Sequence, residues 1–278
     1  MPAVACNLCG HDAFRVLESH ASPYRVLCCG RCGLVFVHPV PPAKTLHEHY
    51  DGEYYGEWIG AQRDRRLAMW EARLDRLEQW IPGGRLLDVG CGEGTFLALA
   101  RKRGWEVQGT ELSRFAADYA SRRLDREIHC GELAEARFRD GEFDAVTLWH
   151  VLEHVTDPAR YLAEARRILM PKGILIVAVP NVNDLAMQMA YRVVRGKPLR
   201  RFSPEDREIH LFHFSAKTLV QYMEKTGFRC CSMGPDYGIV EPAKKWLNVA
   251  AVIPYHLFGL KIFNAIEAVG IPEDTSQA

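Results

Sequence analysis

The sequence predicts an α/β fold, a sheet with helices on both faces, preceded by a small metal-binding unit. The first observation is an apolar strand, Arg85–Val89, that leads through three closely spaced glycines into a helix beginning at Thr95. The second is a further strand, Trp105–Thr110, which follows that helix and completes a βαβ unit. The third is a pair of C-x-x-C-G patterns before residue 42.

Composition favours an ordinary globular protein of the cytoplasm. Of the 278 residues, 48% are hydrophobic and 25% charged, and the formal net charge is zero, whereas non-specific nucleic-acid binding usually shows as a basic excess. No signal-peptide pattern opens the sequence, and no apolar run approaches the roughly 18 residues of a membrane span. We therefore predict a cytoplasmic location, and we expect the nine cysteines to be metal ligands or buried thiols rather than disulfides.

Four cysteines in the first 42 residues predict a separate structural zinc ribbon. Cys6 and Cys9 share the pattern C-x-x-C-G with Cys29 and Cys32, and the two-residue gap lets both thiolates of a pair reach one ion. The glycine after each pair permits a tight turn. Four sulfur ligands leave no position for a substrate water, so the zinc is expected to be structural. Cys28 lacks the matching spacing and is treated as a spare; unrelated cysteines, or a redox pair, are the alternatives.

Residues 43–81 are predicted to link this ribbon to the main domain. A tyrosine-rich segment at residues 49–56 precedes a helix from about Ala61 to Trp80. Apolar residues recur in that helix every three or four positions and form one stripe. A proline and two glycines at residues 82–84 end the helix.

The glycine-rich turn is predicted to bind a cationic ligand. A phosphate-binding P-loop requires a lysine before the Ser/Thr, and a dinucleotide fingerprint requires a glycine where Thr95 stands. Asp88 and Glu93 would repel a pyrophosphate, whereas the ammonium and sulfonium groups of S-adenosylmethionine (SAM) suit an acidic turn. Glu111 lies 21 residues after Gly90, where a βαβ unit places a carboxylate on ribose hydroxyls. A solvent-facing acid at the strand end is the alternative for Glu111.

These stretches resemble the class I SAM-dependent methyltransferases, whose sheet is Rossmann-like. The similarity covers residues 86–227 and rests on three stretches: Leu87–Gly94, Phe143–Val155 and Leu169–Val177. It implies that residues 82–235 form the SAM-binding domain, and it assigns the cofactor contacts by position. Those to the methionine part are Asp88, Gly90, Cys91 and Gly92; those to ribose and adenine are Glu111, Leu112, Gly131, Glu132 and Leu133; Trp149 lies beside the transferable methyl group.

The acceptor side is predicted to depend on histidine. A hydroxyl or carbon acid needs a base, and most of the remaining catalysis is alignment of donor and acceptor. The candidates are His150, His154, His210 and His213. The run at residues 210–215 resembles zinc-carrying sugar C-methyltransferases, in which a histidine there is the base and a tyrosine after the zinc unit is catalytic. The resemblance implies His210 as general base, with Tyr54 and His150 as further catalytic residues; a structural role is the alternative for each histidine.

Two further segments are predicted to contact ligands or partners. Residues 181–208 are long for a plain connection and typical of a lid. They contain five cations between residues 192 and 201, which either meet an anionic substrate or form a solvated face. Residues 236–278 are predicted to be apolar helices split at Pro254, packed on the domain or on a second subunit. Peripheral membrane contact through the Lys-Lys-Trp start of this tail is the alternative.

Together these features predict a SAM-dependent methyltransferase with a structural zinc ribbon. The acceptor is expected to be a small or carrier-linked molecule, preferably a sugar, nucleotide-sugar or glycolipid. An RNA methyltransferase with zinc-ribbon recognition is one alternative, although residues 1–42 carry only three basic side chains, all arginine, so nucleic acid is a disfavoured partner. A SAM-binding regulatory protein without turnover is the other.

Overall fold

The computed structural model describes residues 4–19, 23–42, 46, 63–236, 238 and 252–273. These residues form a seven-stranded and a four-stranded sheet. One hydrophobic cluster contains buried residues of both sheets, so the two sheets belong to one folded unit. The predicted catalytic residue Tyr54 lies outside the described residues.

The seven-stranded sheet forms the centre of the domain. Its strands are β4 Arg85–Val89, β5 Glu106–Glu111, β6 His129–Cys130, β7 Phe143–Trp149, β8 Leu169–Pro180, β10 Phe228–Pro235 and β11 Ala265–Pro272. They lie in the order β10-β11-β8-β7-β4-β5-β6, and the five strands from β4 to β8 pair in parallel. The central strands β4, β7 and β8 are buried over most of their length, as expected of strands covered on both faces. The predicted α/β fold is confirmed.

Six helices have both of their ends within the described residues. They are α1 Arg63–Glu78, α2 Thr95–Lys102, α3 Arg114–Leu124, α4 Pro158–Ile168, α5 Leu185–Arg195 and α6 Ala216–Lys225. Their starts show ordinary capping chemistry: the Asp157 side chain accepts a hydrogen bond from Arg160 N at the start of α4, and Ser215 and Thr218 cap α6 reciprocally. In α4 the residues at three- and four-residue spacing are buried, which is why this helix lies on the sheet.

The strand order positions a ligand site between β4 and β7. The two strands are parallel neighbours, with Val89 opposite Leu148. The chain passes from β4 to β5 on one side and reaches β7 on the other, so the loops after β4 and β7 diverge from one edge of the sheet. Such a switch point leaves a crevice at the carboxyl ends of the strands, where α/β proteins bind their ligands.

The C-terminal region corrects one prediction. Residues 236–278 were expected to be apolar helices, but Ala265–Pro272 form strand β11, antiparallel to both β8 and β10. A short apolar run of this kind does not distinguish a strand from a buried helix. Pro254 also does not separate two helices, because residues 252–258, which include it, are helical. Residues 239–251 lie outside the described residues.

The smaller sheet joins the N-terminal unit to the main domain. It contains β1 Phe14–Ser19, β2 Arg25–Cys29, β3 Val35–His38 and β9 Phe212–His213, in that order. The first three strands form an antiparallel meander. Strand β9 comes from the segment that precedes α6, and it pairs with β3 through Val35 and Phe36.

The prediction that the first 42 residues form a separate unit is therefore wrong. Besides the β3–β9 pair, Val37 N donates to Leu211 O at 2.9 Å. Asn7 bonds to two elements of the domain, to Asp157 at 2.9 Å and to the Tyr222 hydroxyl at 2.8 Å. A strand pair across the boundary has no local signature, since β9 is only two residues long.

The segment between β8 and β9 is partly helical. Helix α5 has no buried residue, and its apolar side chains at Met189, Val193 and Val194 are exposed. Of the five cations in this segment, Arg201 is bound to the ribbon, where its guanidinium lies 2.9 Å from Glu18 Oε1. No helix in the described part of the chain has the length and apolar character needed to cross a membrane.

Candidate cofactor and acceptor site

The turn after β4 has the backbone geometry of a ligand cradle. Gly90, Gly92 and Gly94 all have positive φ, at 69°, 55° and 76°, a region that favours glycine. A Cβ on Gly90 would lie 2.7 Å from Val151 Cγ2, so this position also lacks room for a side chain. The turn leads into α2, whose first N–H groups face the same crevice end of the sheet.

Asp88 is a buried acid at the end of β4. Its side chain accepts a hydrogen bond from the Thr147 hydroxyl at 2.7 Å, and the residue is 2% exposed. Burial raises the pKa of Asp88 to about 7, helped by the nearby Glu111 and Glu93 and opposed by Thr147 and Arg73. A cationic ligand next to this carboxyl would relieve the cost of ionising it.

Glu111 connects the end of β5 to the glycine turn. One carboxylate oxygen accepts from Gly92 N at 2.9 Å and the other from Ser113 N at 2.9 Å. Each carboxylate oxygen can accept a second hydrogen bond, so these contacts orient the side chain without using its full capacity. The predicted role on the ribose hydroxyls stays a prediction, and the geometry places the carboxylate beside the turn, as that role requires.

The predicted adenine neighbours are held together by the end of β5. Gly131 N donates to the main-chain oxygen of Glu111 at 3.0 Å. Leu112 is 41% exposed, so its side chain is available to a ligand. Leu133 is 1% exposed and packs into the core, and Glu132 caps the short 3-10 turn that begins at Leu133. In this conformation Leu112 is the apolar adenine candidate with an accessible side chain.

Trp149 ends β7 and Cys91 lies in the turn after β4, and both residues are buried. The Trp149 ring packs against Phe96 and Trp70, with centroids 5.7 and 6.3 Å away. The Arg73 guanidinium lies 4.5 Å from the centroid of Trp149. The Cys91 thiol is buried, and its pKa is raised by burial and by the surrounding acids. Cys91 therefore does not offer the cofactor a thiolate, and its main-chain N–H is already bonded to Thr110 O.

His150 lies between two carboxylates. It directly follows β7 with φ of 57°; its Nε2 is 3.1 Å from Asp236 and its Nδ1 is 3.3 Å from Glu153. Burial alone would lower the pKa of His150, but the contacts with Asp236 and Glu153 raise it to about 9. His150 is therefore charged at neutral pH, which suits a hydrogen-bond donor rather than a base.

The other histidines gather where the segment before β9 meets the loop after β7. The rings of His154 and His210 make an edge contact at 4.8 Å between centroids, and His213 lies 6.3 Å from His210. The main-chain oxygen of Glu153 accepts from Leu211 N at 2.7 Å, which joins the two segments. Burial and the neighbouring His154 lower the pKa of His210 to about 4, so its imidazole is neutral.

The structure supplies one part of the site that the sequence did not indicate. Asp236 follows β10, is 1% exposed and forms an ion pair with Arg73 at 2.5 Å. The pair pulls the pKa of Asp236 far below its usual value despite burial. Arg73 lies on α1, and Asp236 is 86 residues from His150. No motif marks such a contact, because only folding brings α1, β7 and β10 together.

The four predicted zinc ligands converge. The Sγ atoms of Cys6 and Cys32 are 3.6 Å apart, as are those of Cys9 and Cys29, and all four lie within 4.8 Å of one another. Tetrahedral ligands at about 2.3 Å from zinc are about 3.8 Å apart, so the set fits the ion. Gly10 and Gly33 have φ of 71° and 82°, and each N–H bonds back to the first cysteine of its knuckle. Cys28 lies outside the set.

Fold and site together define a SAM-dependent methyltransferase domain. A family model described as "Methyltransferase domain" matches residues 60–233, and the chain belongs to that family. In this chain the crevice between the ends of β4 and β7 is the candidate cofactor site of that domain.

Curated relatives agree with this assignment. A probable SAM-dependent methyltransferase of Mycolicibacterium smegmatis is 29% identical over 159 residues, 57% of this chain and 57% of the relative. A ubiquinone biosynthesis O-methyltransferase of Cereibacter sphaeroides is 32% identical over 161 residues, 55% of this chain and 60% of the relative. The chain thus spans less than two thirds of the length of either relative.

Solved structures show the same fold. A SAM-dependent methyltransferase of Thermotoga maritima, described as a possible histamine N-methyltransferase, superposes with a TM-score of 0.56 at 21% identity, covering 83% of this chain and all of that one. A geranyl diphosphate C-methyltransferase of Streptomyces coelicolor, solved with S-adenosylhomocysteine, gives 0.54 at 17% identity, covering 80% of this chain and 83% of that one. These likenesses establish the Rossmann-like methyltransferase fold.

Proposed function

We propose that this protein transfers the methyl group of SAM to a hydroxyl of a small or carrier-linked acceptor of the sugar, nucleotide-sugar or glycolipid class, with His210 as general base. The observation that carries the proposal is the convergence of His150, His154 and His210 at the edge of the sheet that holds the glycine turn. The β4–β7 pair places the turn and the loop after β7 side by side. The hydrogen bond from Leu211 N to Glu153 O then places His210 against that loop.

Three observations support the acceptor class. A hydroxyl must lose its proton as it is methylated, and an imidazole is the side chain most often used for that task. The relatives named ubiquinone biosynthesis O-methyltransferases support an oxygen acceptor. Near the end of α5, Arg192, Arg195 and Lys197 are exposed and suit an anionic group such as a diphosphate.

In this proposal the zinc ribbon has a structural role. Four cysteine sulfurs saturate a tetrahedral zinc and leave no position for substrate or water. The ion would supply folding energy to a unit that has little core of its own. Because β3 pairs with β9, it would also hold the segment that carries His210.

A panel of acceptors tests the reaction. The full chain is incubated with methyl-labelled SAM and nucleotide-sugars, glycolipids or a catechol, and label in each product is counted. Transfer to a sugar-containing acceptor is the expected result. Transfer to the catechol alone would keep the methyltransferase and overturn the acceptor class. No transfer to any acceptor, by a protein that binds S-adenosylhomocysteine, would favour the regulatory alternative.

Replacing His210 by asparagine is expected to lower the rate constant of methyl transfer about 100-fold or more, the usual contribution of a general base. Affinity for S-adenosylhomocysteine should stay within about twofold of wild type, since His210 belongs to the acceptor side. Turnover and calorimetric affinity are the two measurements. His256→Asn, at an exposed position, is the control. Unchanged turnover in the His210 variant would remove this residue from the chemistry.

Cofactor binding is expected to release a proton near pH 6. With a pKa of about 7 in the unliganded fold, Asp88 is mostly protonated there, and the ammonium of the ligand favours its ionised form. Calorimetric titration with S-adenosylhomocysteine in buffers of different ionisation enthalpy measures the protons released. The expected number approaches one for wild type and zero for Asp88→Asn. Equal release by both proteins would contradict a role for Asp88.

The raised pKa of Asp88 also makes the stability of the unliganded fold depend on pH. The raised pKa means that the unliganded fold binds a proton more tightly at Asp88 than the unfolded chain does. The contribution of Asp88 to stability is therefore greatest below about pH 4 and is lost as pH rises to about 7. Between about pH 4 and pH 7 the unfolding free energy of Asp88→Asn should therefore fall less than that of the wild type. Chemical denaturation at several pH values measures this difference.

A further inference from the structure

Three side chains from two segments meet beside the candidate acceptor site. Glu153 and His154 belong to the loop after β7, and His210 lies two residues before β9. One carboxylate oxygen and one nitrogen from each ring lie within 4.8 Å of one another. The function proposed above uses one of these side chains as a base and leaves the grouping of all three unexplained.

The Glu153 carboxylate is the first reason to look for a ligand. Glu153 is 1% exposed, and neither of its carboxylate oxygens accepts a hydrogen bond from any described residue. The closest charged partner is His150, whose Nδ1 is 3.3 Å from Oε1, an ion-pair distance without hydrogen-bond alignment. The charged His150 compensates this carboxylate from one side, and the lone pairs that accept no hydrogen bond remain available to a further cation.

The tautomer of His154 is the second reason. Its Nδ1 is 2.9 Å from the main-chain oxygen of Ile209, and because a carbonyl oxygen only accepts, Nδ1 must carry the hydrogen. In the neutral ring Nε2 then holds the lone pair, and Nε2 lies 3.9 Å from Glu153 Oε1. A histidine whose second nitrogen donates to a backbone carbonyl is the usual arrangement of a metal ligand.

We propose that Glu153, His154 and His210 bind a divalent first-row transition cation, of the class of Zn²⁺, Mn²⁺ or Fe²⁺. Two imidazoles and one carboxylate form a set that such ions accept, with coordination positions left open, whereas Mg²⁺ and Ca²⁺ prefer oxygen alone. Ligand bonds of about 2.1 Å require these atoms to be closer than they are here. Rotation of the three side chains toward the ion provides that closure.

The proposed ion keeps the methyl transfer proposed above but changes the role of His210 from general base to metal ligand, and it rests on that function only in its consequence for the acceptor. A cation next to a hydroxyl acceptor favours loss of the hydroxyl proton to solvent. His210 would then hold the cation instead of taking the proton itself. The ribbon zinc stays a separate ion, since its ligands are the four cysteine sulfurs.

Titration of the zinc-loaded full chain with Mn²⁺ tests the proposal. Mn²⁺ is a poor competitor for thiolates, so the ribbon should keep its zinc, and electron paramagnetic resonance reports the Mn²⁺ that remains unbound. We expect one saturable Mn²⁺ per chain in the absence of SAM and acceptor. Glu153→Gln and His210→Asn should each weaken its binding at least about tenfold, since even outer-shell partners contribute 10- to 100-fold. His256→Gln is the matched control.

Each outcome has one meaning. Failure to saturate with Mn²⁺, or with Zn²⁺ beyond the ribbon equivalent, would overturn the second metal site and leave His210 as a base. Saturable binding that both ligand variants retain would also overturn it. Binding of S-adenosylhomocysteine by each variant shows that the domain is folded; if Glu153→Gln fails this test, His210→Asn decides. Metal binding without methyl transfer to any acceptor would overturn the proposed function and leave the metal site.

Discussion

Replacing Cys32 by serine is expected to release the zinc proposed for the ribbon and to abolish methyl transfer, while the domain still binds S-adenosylhomocysteine. A structural zinc contributes about 10–16 kcal/mol to the folding of a small unit. Cys32 lies three residues before β3, which pairs with β9 through Val35 and Phe36. Loss of the ion should therefore free β9, together with His210 beside it. The glycine turn lies in the main sheet and does not depend on this pairing.

Zinc content, turnover and amide hydrogen exchange measure this effect. Exchange at residues 209–214 should increase in the variant, a readout that needs no knowledge of the acceptor. Cys28→Ser is the matched control: its sulfur lies 3.8 Å from two main-chain oxygens and outside the four-sulfur set, so zinc and turnover should be kept. A Cys32 variant that lacks zinc but retains protection at 209–214 would show that the ribbon does not hold the acceptor segment.

Replacing Glu111 by alanine is expected to weaken binding of S-adenosylhomocysteine about 100-fold. Two hydrogen bonds from ribose hydroxyls to a charged group contribute about 1.5 kcal/mol or more each, and about 1.4 kcal/mol is a factor of ten in affinity. The substitution also removes the acceptors of Gly92 N and Ser113 N, so the turn loses part of its support. Both effects lower the affinity for S-adenosylhomocysteine.

Calorimetry on three proteins separates these contributions. Glu111→Gln keeps one carbonyl oxygen and should fall between wild type and alanine. Glu106→Ala is the control, because Glu106 begins the same strand, is exposed, and lies at the opposite end from the crevice. Its affinity should stay within about twofold of wild type. If Glu111→Ala binds as tightly as Glu106→Ala, the carboxylate at the end of β5 does not contact the cofactor.

Local chemistry made the cofactor side of the site predictable. The strand β4, the glycine turn and Glu111 lie within one βαβ unit, and the contact between Gly92 N and Glu111 spans only 19 residues. In such a unit the right-handed connection fixes where the second strand ends relative to the first. The paired cysteine knuckles were predictable for a similar reason, because each knuckle is a tight turn determined by adjacent residues.

The acceptor side of the site was harder to predict, although its histidines could be identified from the sequence. His150 and His210 stand in recognisable stretches, but the Asp236 that bonds His150 follows a strand 86 residues later. The grouping of His210 with Glu153 depends on a main-chain hydrogen bond between two loops. Strand β11 was missed because its eight residues include too few polar positions for their period to identify a strand.

The sequence by itself determined the class of protein: the parallel α/β domain, the glycine turn with its acids, the four-sulfur ribbon and the histidines available to an acceptor. Each of these is encoded by residues close to one another in the chain. Only the tertiary structure decided that β11 completes the central sheet, that the ribbon shares a sheet with β9, and that Glu153, His154 and His210 meet. Those contacts join segments tens to hundreds of residues apart, and their energy comes from burial and pairing that no short stretch of sequence contains.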